Sequence, residues 1–409
     1  MRPNLVTGLE IGSTKTCAVI AEVAGEPRLP VVRILGVGLA RTSALRRDVT
    51  ADIDGTAASV KACLKEAELM AGVTVDRVWV GTSGEHVHAT TSTGVVAVGG
   101  DKEISSADVR RVHDVARAVA IPADRELLHV LPQEYIVDSR PGIRDPLGMA
   151  GTRLEAEVYI VTSNISVNQN LTRAVNRAGY RIDGLVHAPL ATALAVLSED
   201  EKDVGVALVD LGGAYTDVAI FRDGKMRHLS TIPWGGGTVT NDLSKGLSIT
   251  YAEAEKAKER YGVAFSGMVD PRETVELPGP GPGTRREVTR ELIAHIIEQR
   301  LDEILGLVAR EMDHAGETGR LGAGVVLTGG GAALPGTVEV AQHVFGLPVR
   351  VGTASTGLTG LTDSVSRPQY ATAAGLVLYG VSKSAQVGAV AGFAEGAMGK
   401  LVAWLKEFF

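Results

Sequence analysis

The sequence predicts an α/β protein made of two related domains, with a smaller subdomain inserted into the first. Two segments, Leu5–Thr16 and Ala207–Ala219, share one pattern. In each, an apolar strand ends at an acidic residue, turns on glycine through hydroxyl-bearing residues and returns as a second apolar strand. The chain has 409 residues, which is more than one hydrophobic core usually supports. The repeated pattern and the length together favour a duplicated architecture.

Composition narrows the class of protein. The chain is 45% hydrophobic and 22% charged, as in ordinary soluble proteins. A net charge of −7 argues against nucleic acid as the main partner. Cys17 and Cys63 are too few for a disulfide framework, which favours a reducing compartment. The N-terminal residues show no signal-peptide pattern, and no run of 18 apolar residues occurs, so we expect a cytoplasmic protein without a membrane span.

The repeated segments carry the chemistry expected of a phosphate-binding hairpin. Glycine lets backbone N–H groups approach a phosphate tail, and an acid can hold a hydrated Mg²⁺. We therefore expect Glu10 and Asp210 to face the metal of a nucleotide bound between the domains. Lys15 could instead face solvent, and we favour Asp217 as the cap of a helix or turn. The expected phosphate contacts are Gly12, Ser13, Thr14, Lys15, Gly212, Gly213, Ala214, Tyr215 and Thr216.

The remaining elements follow from hydrophobic periodicity and turn residues. Strand patterns occur at Val31–Leu39 and Arg77–Thr82. Between residues 84 and 163, short strands alternate with a charged helix and glycine- and proline-containing loops, which predicts the inserted subdomain. The predicted helices are Gly55–Ala71, Ser106–Ala120, Val167–Gly179, Pro189–Leu197, Tyr251–Tyr261, Thr289–His314 and Ala371–Tyr379.

Two further glycine turns follow apolar segments in the second half of the chain. Pro233–Asp242 is a glycine turn that opens a helix, and Val325–Ala333 runs a buried strand into three consecutive glycines. Backbone without side chains would let a flat adenine lie close, although an ordinary strand-to-helix turn would look the same. The candidate nucleotide contacts in these turns are Gly236, Gly237, Gly329, Gly330 and Gly331.

In this order the segments resemble the actin-like ATPase superfamily, whose fold is the actin-like, ribonuclease-H-like two-domain fold. The two hairpins match its phosphate loops, Val325–Ala333 its adenosine loop, and Pro189–Leu197 and Ala371–Tyr379 its interdomain helices. Within the superfamily, the motifs GLEIGSTK, VDLGGAYTDVAIF, VVLTGGGAALPG, GLTGLTD and ATAAGLVLYG resemble those of the bacterial cell-division FtsA family. The resemblance covers nearly the whole chain.

The resemblance implies a division into subdomains and an ATP site with Mg²⁺. Glu255 and Lys258 match the glutamate and lysine that hold ribose and adenine, although they could also be a solvated pair at i, i+3. The implied subdomains are IA (1–83, 164–197 and 365–381), the insert IC (84–163), IIA (198–232 and 315–364) and IIB (233–314), followed by a linker (382–398) and a terminal helix (399–409).

The last eleven residues form an amphipathic helix on a helical projection. Such a stripe after a flexible linker favours a helix lying in the plane of a membrane, with lysines attracted to anionic lipid. Docking on its own domain or on a partner is the alternative. The expected membrane contacts are Leu401, Val402, Trp404, Leu405, Phe408, Phe409, Lys400 and Lys406.

The resemblance also implies partners and a place of action. Members of the family form actin-like filaments, which would turn weak single membrane contacts into avidity. They tether the ring of the tubulin-like GTPase FtsZ to the cytoplasmic face of the inner membrane at the division site. The acidic FtsZ tail would dock on IIB, where Arg290 and Arg300 are candidates, unless both are simply solvated. Later division proteins would bind the insert.

Hydrolysis is expected to be slow or conditional, and no catalytic residue is assigned. Ala188 stands before Pro189 where a filament-forming relative has a glutamate, and we expect the adjacent His187 to be structural. Glu10 replaces the superfamily's usual aspartate. The alternatives are a PilM-like adaptor of membrane machinery, a small-molecule kinase of the same fold, and a chaperone ATPase. The terminal helix argues against PilM, the lack of a substrate base against a kinase, and the lack of a substrate-binding β-domain against a chaperone.

Overall fold

The computed structural model describes residues 4–26, 29–42, 52–100, 102–279, 283–354 and 356–388. The predicted terminal helix (399–409) and most of the predicted linker lie outside these ranges. Within them, no helix combines the length and the apolar character needed to span a membrane.

Strands build two large sheets, a smaller sheet and one hairpin. In chain order they are β1 (Leu5–Ile11), β2 (Lys15–Glu26), β3 (Leu29–Arg41), β4 (Arg77–Thr82), β5 (Val87–Ala97), β6 (Arg125–Val137), β7 (Arg140–Ile143), β8 (Arg153–Asn164), β9 (Arg181–His187), β10 (Val206–Leu211), β11 (Thr216–Arg222), β12 (Lys225–Ile232), β13 (Thr274–Pro278), β14 (Arg285–Thr289), β15 (Val325–Thr328), β16 (Val349–Val351) and β17 (Leu358–Gly360).

Helices cover the faces of these sheets. In chain order they are α1 (Ile53–Ala71), α2 (Ser106–Arg117), α3 (Ile165–Arg177), α4 (Ala188–Val196), α5 (Glu199–Val204), α6 (Gly236–Gly246), α7 (Tyr251–Tyr261), α8 (Arg290–His314), α9 (Thr337–Phe345) and α10 (Ala371–Gly388).

The two large sheets repeat one strand order. The first runs β17-β3-β2-β1-β4-β9 and the second β12-β11-β10-β15-β16. In each sheet the first strand of the glycine hairpin, β1 or β10, pairs antiparallel with its return strand and parallel with β4 or β15. The duplicated α/β architecture that the sequence predicts is therefore confirmed.

The inserted subdomain leaves the first sheet after β4 and returns to it before β9. Its antiparallel sheet has the order β5-β8-β6-β7, and α2 packs against β5 and β8. Gly94 allows this packing, because a Cβ there would lie 2.3 Å from the carbonyl oxygen of Val112. The insert also reaches the second domain, since β5 and β6 contact the edge strand β12. There, Tyr159 and Leu131 share an apolar core with Phe221.

Two interdomain helices, α4 and α10, cross between the domains. Every residue of α4 is buried, which explains why its sequence is apolar except for Thr192. Small residues bring the backbones together. A Cβ on Gly375 of α10 would lie 1.9 Å from the carbonyl oxygen of Ala191, and one on Gly8 of β1 would lie 2.2 Å from that of Ala373. The domains are thus joined at a tightly packed crossing.

The last helix departs from the sequence prediction. We expected α10 to end at Tyr379 and the linker to begin at Ser382, but α10 continues to Gly388. Val381 and Ser382 are buried, so the packed face of the helix extends beyond the point where the sequence becomes rich in Ala, Gly and Ser. Residues 382–388 are therefore helical, and the predicted linker boundary is wrong.

A cap of helices and a hairpin covers the far side of the second sheet. It contains α6, α7, the β13–β14 hairpin and the long helix α8. Leu243, Ala254 and Ile297 share an apolar core with Val209 of β10, so the cap packs directly on the sheet that carries the second glycine hairpin.

Candidate functional site

The two glycine hairpins make the same turn. The main-chain N–H of Gly12 donates to the carbonyl of Lys15 at 2.8 Å, and that of Gly212 donates to Tyr215 at 3.0 Å. A Cβ would lie 2.9 Å from the same carbonyl oxygen at Gly12 and 2.8 Å at Gly212. Both turns therefore require glycine.

The tips of the two hairpins face each other across the cleft between the domains. A Cβ on Gly213 would lie 2.6 Å from Ser13 Oγ and 2.6 Å from the methyl carbon of Thr14. Gly84, just after β4, lies beside the ring of Tyr215. The first and second predicted phosphate loops are thus brought together.

The acidic residues of the hairpins have different surroundings. Lys15 Nζ donates to Glu10 Oε2 at 2.8 Å, so the lysine folds back over its own hairpin and only 21% of its side chain is exposed. Burial opposes the charge of Lys15, but Glu10, Cys17 and Asp210 together outweigh it, so the pKa of the lysine is raised. Burial, reinforced by Glu10 and Asp217, raises the pKa of Asp210 to about 7.

A metal would have to be shared with the nucleotide. Among the described residues, no three His, Cys, Asp or Glu side chains are grouped closely enough to hold an ion by themselves. Mg²⁺ usually keeps several waters and uses one or two carboxylates together with substrate phosphates. Glu10 and Asp210, at matching strand ends, fit that mode of binding.

Asp217 does not cap a helix or a turn, so our interpretation of it is wrong. It lies in β11 directly opposite Asp210 of β10, where antiparallel pairing puts both side chains on one face of the sheet. Thr231 of the neighbouring strand donates to its carboxylate at 2.6 Å. Burial raises the pKa of Asp217 to about 6, against the opposing hydrogen bonds from Thr231 and Ser83.

The turn before α6 lies against the second phosphate loop. The N–H groups of Gly236 and Gly237 donate to the carbonyls of Gly212 and Gly213 at 2.9 and 2.7 Å. Lys258 Nζ donates to the carbonyl of Gly236 at 2.9 Å, so α7 delivers its lysine to the same turn.

Glu255 and Lys258 are not a solvated surface pair. Lys258 donates to Glu255 at 2.9 Å and to the hydroxyl of Thr240 at 2.7 Å, and Thr240 in turn donates to Glu255. The sequence reasoning missed Thr240. Its position four residues after Gly236, one helical turn into α6, is the feature that could have identified it.

The glycine turn of residues 329–331, which follows β15 and is called the third glycine turn below, closes the site from the side of that strand. Gly329 has φ +80°, and a Cβ there would lie 2.2 Å from Asp210 Oδ1 and 2.7 Å from the carbonyl oxygen of Leu211. Gly331 also packs on Leu211, whereas a Cβ on Gly330 would meet nothing within 4 Å. The three predicted loops therefore surround one end of β10.

The start of α4 carries no carboxylate. Ala188 is buried at its first position, and His187 before it is 1% exposed. His187 Nδ1 lies 3.1 Å from the carbonyl oxygen of Thr82, and the main-chain N–H of His187 donates to His129 Nε2 at 2.9 Å. Burial lowers the pKa of His187 to about 3. These contacts are those of a structural histidine.

The two arginines of α8 that we proposed for partner binding both have intramolecular partners. Arg290 donates to Glu273 at 2.9 Å and to the carbonyl of Tyr261 at 2.9 Å. Arg300 forms ion pairs with Asp242 and Glu303, and its guanidinium lies 4.9 Å from the ring centroid of Trp234. Neither is simply solvated.

Family models and curated relatives identify the lineage. A model described as "Cell division protein FtsA" matches residues 207–375, and one described as "SHS2 domain inserted in FTSA" matches residues 84–162. Cell division protein FtsA of Pseudomonas aeruginosa is 41% identical over 380 residues, which is 93% of this chain and 90% of that protein. The chain belongs to the FtsA family of cell-division proteins. The FtsA protein of Escherichia coli is 36% identical over 92% of this chain and 90% of its own length. The FtsA protein of Bacillus subtilis is 37% identical over 95% of this chain and 86% of its own length.

Solved structures show the same fold at low identity. The PilM–PilN type IV pilus biogenesis complex aligns with a TM-score of 0.64 at 18% identity, covering 92% of this chain and 98% of that chain. MreB5 of Spiroplasma citri bound to ADP aligns with a TM-score of 0.54 at 12% identity, covering 94% and 99%. These likenesses confirm the actin-like fold.

Proposed function

We propose that the cleft binds ATP with Mg²⁺ and that the nucleotide sets the shape of a cell-division adaptor. The convergence of three glycine loops and the Glu255–Lys258 pair around one end of β10 carries this proposal. The bound ADP of the MreB5 structure and the bound AMPPNP of a second MreB5 structure support it. The phosphates would contact residues 12–15 and 212–215, and Mg²⁺, held near Glu10 and Asp210, would neutralise phosphate charge.

The sugar and base would occupy the side of the cleft formed by α6, α7 and the third glycine turn. Gly236, Gly237, Glu255 and Lys258 lie together there, and among residues 329–331 Gly330 offers uncovered backbone to the base. Titration calorimetry with Mg-ATP tests this assignment. We expect Lys258→Ala to weaken binding at least tenfold, because the substitution also releases Glu255 and Thr240.

Lys256→Ala is the matched control, since Lys256 is an exposed residue of the same helix. Equal affinities of the Lys258 and Lys256 variants would contradict the placement of the ribose and base.

Hydrolysis in this cleft is slow in our proposal. A rapid ATPase needs a group that orients the attacking water or accepts its proton, and Ala188 offers none at the start of α4. A single-turnover measurement with Mg-ATP should show a rate far below that of efficient kinases. Turnover at kinase-like rates would refute the proposal that hydrolysis is slow.

We further propose that the chain polymerises and attaches to anionic membrane through residues 399–409. A single short helix binds weakly, so filament formation and attachment reinforce each other. Flotation with vesicles containing anionic lipid tests attachment. The end of α10 at Gly388 makes 1–388 the appropriate truncated chain. Full-length chain should float, whereas the truncated chain and Trp404→Asp should not; Ala403→Asp, on the polar arc, is the matched control. Flotation of the truncated chain would refute the proposal.

The proposed protein partner is the acidic C-terminal tail of FtsZ, bound near Arg290 and Arg300, with the insert recruiting later division proteins. Both arginines already pair with carboxylates, so the tail would exchange one acidic partner for another. An FtsZ tail peptide, titrated by fluorescence anisotropy, should bind more weakly to Arg300→Ala. Arg310→Ala, an exposed position on the same helix, is the control. Unchanged binding to the Arg290 and Arg300 variants would exclude this dock.

A further inference from the structure

An exposed ion pair connects the first domain to the cap of the second domain, which form the two walls of the cleft. Arg41 is the last residue of β3 in the first domain, and Glu259 lies on α7 in the cap. One nitrogen of Arg41, Nη2, donates to both carboxylate oxygens of Glu259, at 3.2 Å to Oε1 and 2.9 Å to Oε2. The two side chains are 73% and 51% exposed, so the pair joins the walls in contact with solvent.

The arginine is attached to the first phosphate loop. In the pairing of β2 with β3, Arg41 lies directly opposite Lys15, the last residue of that loop. The next residue, Thr42, donates its main-chain N–H to the carbonyl of Thr14 at 3.0 Å and its hydroxyl to the carbonyl of Gly12 at 3.0 Å. A movement of the first phosphate loop therefore carries Arg41 with it.

The glutamate is attached to the opposite wall. Glu259 follows Lys258 on α7, and Lys258 donates to the carbonyl of Gly236 at 2.9 Å and to Glu255 at 2.9 Å. The glutamate of the ion pair is thus adjacent to the lysine that we assign to the ribose and base. The pair links the proposed phosphate side of the cleft to its proposed ribose side.

We propose that Arg41 and Glu259 form a clasp across the mouth of the cleft that slows release of the bound nucleotide. The inference rests on the proposed binding of Mg-ATP. The nucleotide contacts both walls and leaves as they move apart. This movement separates Arg41 from Glu259, because each residue is fixed to the wall on which it lies. Breaking the ion pair therefore adds to the barrier for release.

Release of a fluorescent ATP analogue, bound with Mg²⁺ to the full chain and displaced by excess Mg-ATP in a stopped-flow experiment, tests the clasp. Arg41→Ala and Glu259→Ala should each speed release by roughly 1.5- to fivefold, the range expected for an exposed ion pair. The common sign separates a clasp from simple attraction of the triphosphate. Under simple attraction, loss of the arginine would speed release, whereas loss of the glutamate would slow it.

The double variant gives a further comparison. Arg41→Ala combined with Glu259→Ala should release the analogue no faster than the faster single variant, because both substitutions remove the same pair. Arg33→Ala is the matched control, since Arg33 of β3 pairs with Glu22 of β2 at 2.6 Å within the first domain, and it should leave release unchanged.

Unchanged release in both single variants, effects of opposite sign, additive effects in the double variant, or equal acceleration in Arg33→Ala overturns the clasp. A failure of the unaltered chain to bind the analogue overturns the nucleotide function itself.

Discussion

Replacing Gly375 by alanine tests whether the crossing of α4 and α10 is as tight as its geometry indicates. The added Cβ would lie 1.9 Å from the carbonyl oxygen of Ala191, whereas ordinary van der Waals contact begins at 3.4 Å. The helices must therefore separate by 1.5 Å at this point. The obstacle is main chain and cannot rotate away, so we take the upper part of the overpacking range, about 3 kcal/mol.

Helix propensity acts in the opposite direction. Alanine is about 1 kcal/mol better than glycine inside a helix, so Gly375→Ala should lower the free energy of unfolding by about 2 kcal/mol net. The same substitution at Gly306, inside α8, meets nothing within 4 Å and should raise it by about 0.5–1 kcal/mol. Urea denaturation followed by far-UV circular dichroism measures both. Equal shifts of the two midpoints would refute the close approach of the helices.

Two further predictions concern the buried histidines His129 and His187 and the third glycine turn. Burial holds the pKa of both His129 and His187 at about 3, so in the folded protein they stay neutral where an unfolded chain, with pKa near 6.5, binds protons. The free energy of unfolding should therefore fall as pH drops from about 6.5 toward 3, by up to about 1.4 kcal/mol per pH unit for each histidine. Urea denaturation of His129→Gln at several pH values should show that its free energy of unfolding depends less steeply on pH. Gly329→Ala should destabilise the chain by roughly 1–3 kcal/mol, because alanine would have to adopt φ +80° and its Cβ would clash with Asp210 and Leu211. Gly330→Ala is the control and should leave the stability unchanged, since a Cβ there meets nothing within 4 Å. Equal melting temperatures of the two variants would contradict this prediction.

Much of the fold follows from the sequence because its strongest patterns are local. Turn residues mark the ends of the strands in the glycine hairpins, and a capping residue marks the start of α7. The Thr250 side chain, for example, accepts from the N–H of Glu253 at 3.3 Å at the start of α7. The order of these segments along the chain then restricts the topology to few alternatives.

What the sequence did not reveal depends on contacts between distant segments. The role of Asp217 follows from its pairing with Asp210 and from Thr231 on the next strand, none of which local periodicity encodes. Thr372 is a polar residue in an otherwise apolar stretch of sequence, and only the fold brings its hydroxyl to Asp210. The end of α10 was misplaced because small residues are typical both of linkers and of closely packed helices.

The insert contacts both domains, because β5 and β6 pack against β12 of the second domain. The insert is rooted in the first domain by its connections to β4 and β9, yet Tyr159 accepts a hydrogen bond from the main-chain N–H of Leu229 in the second domain. Arg144 of the insert also lies 3.6 Å from Asp203 of the second domain. Rotation of one domain relative to the other must therefore carry the insert along or break this seam. A partner that binds the insert could therefore affect the relative position of the two domains without entering the cleft.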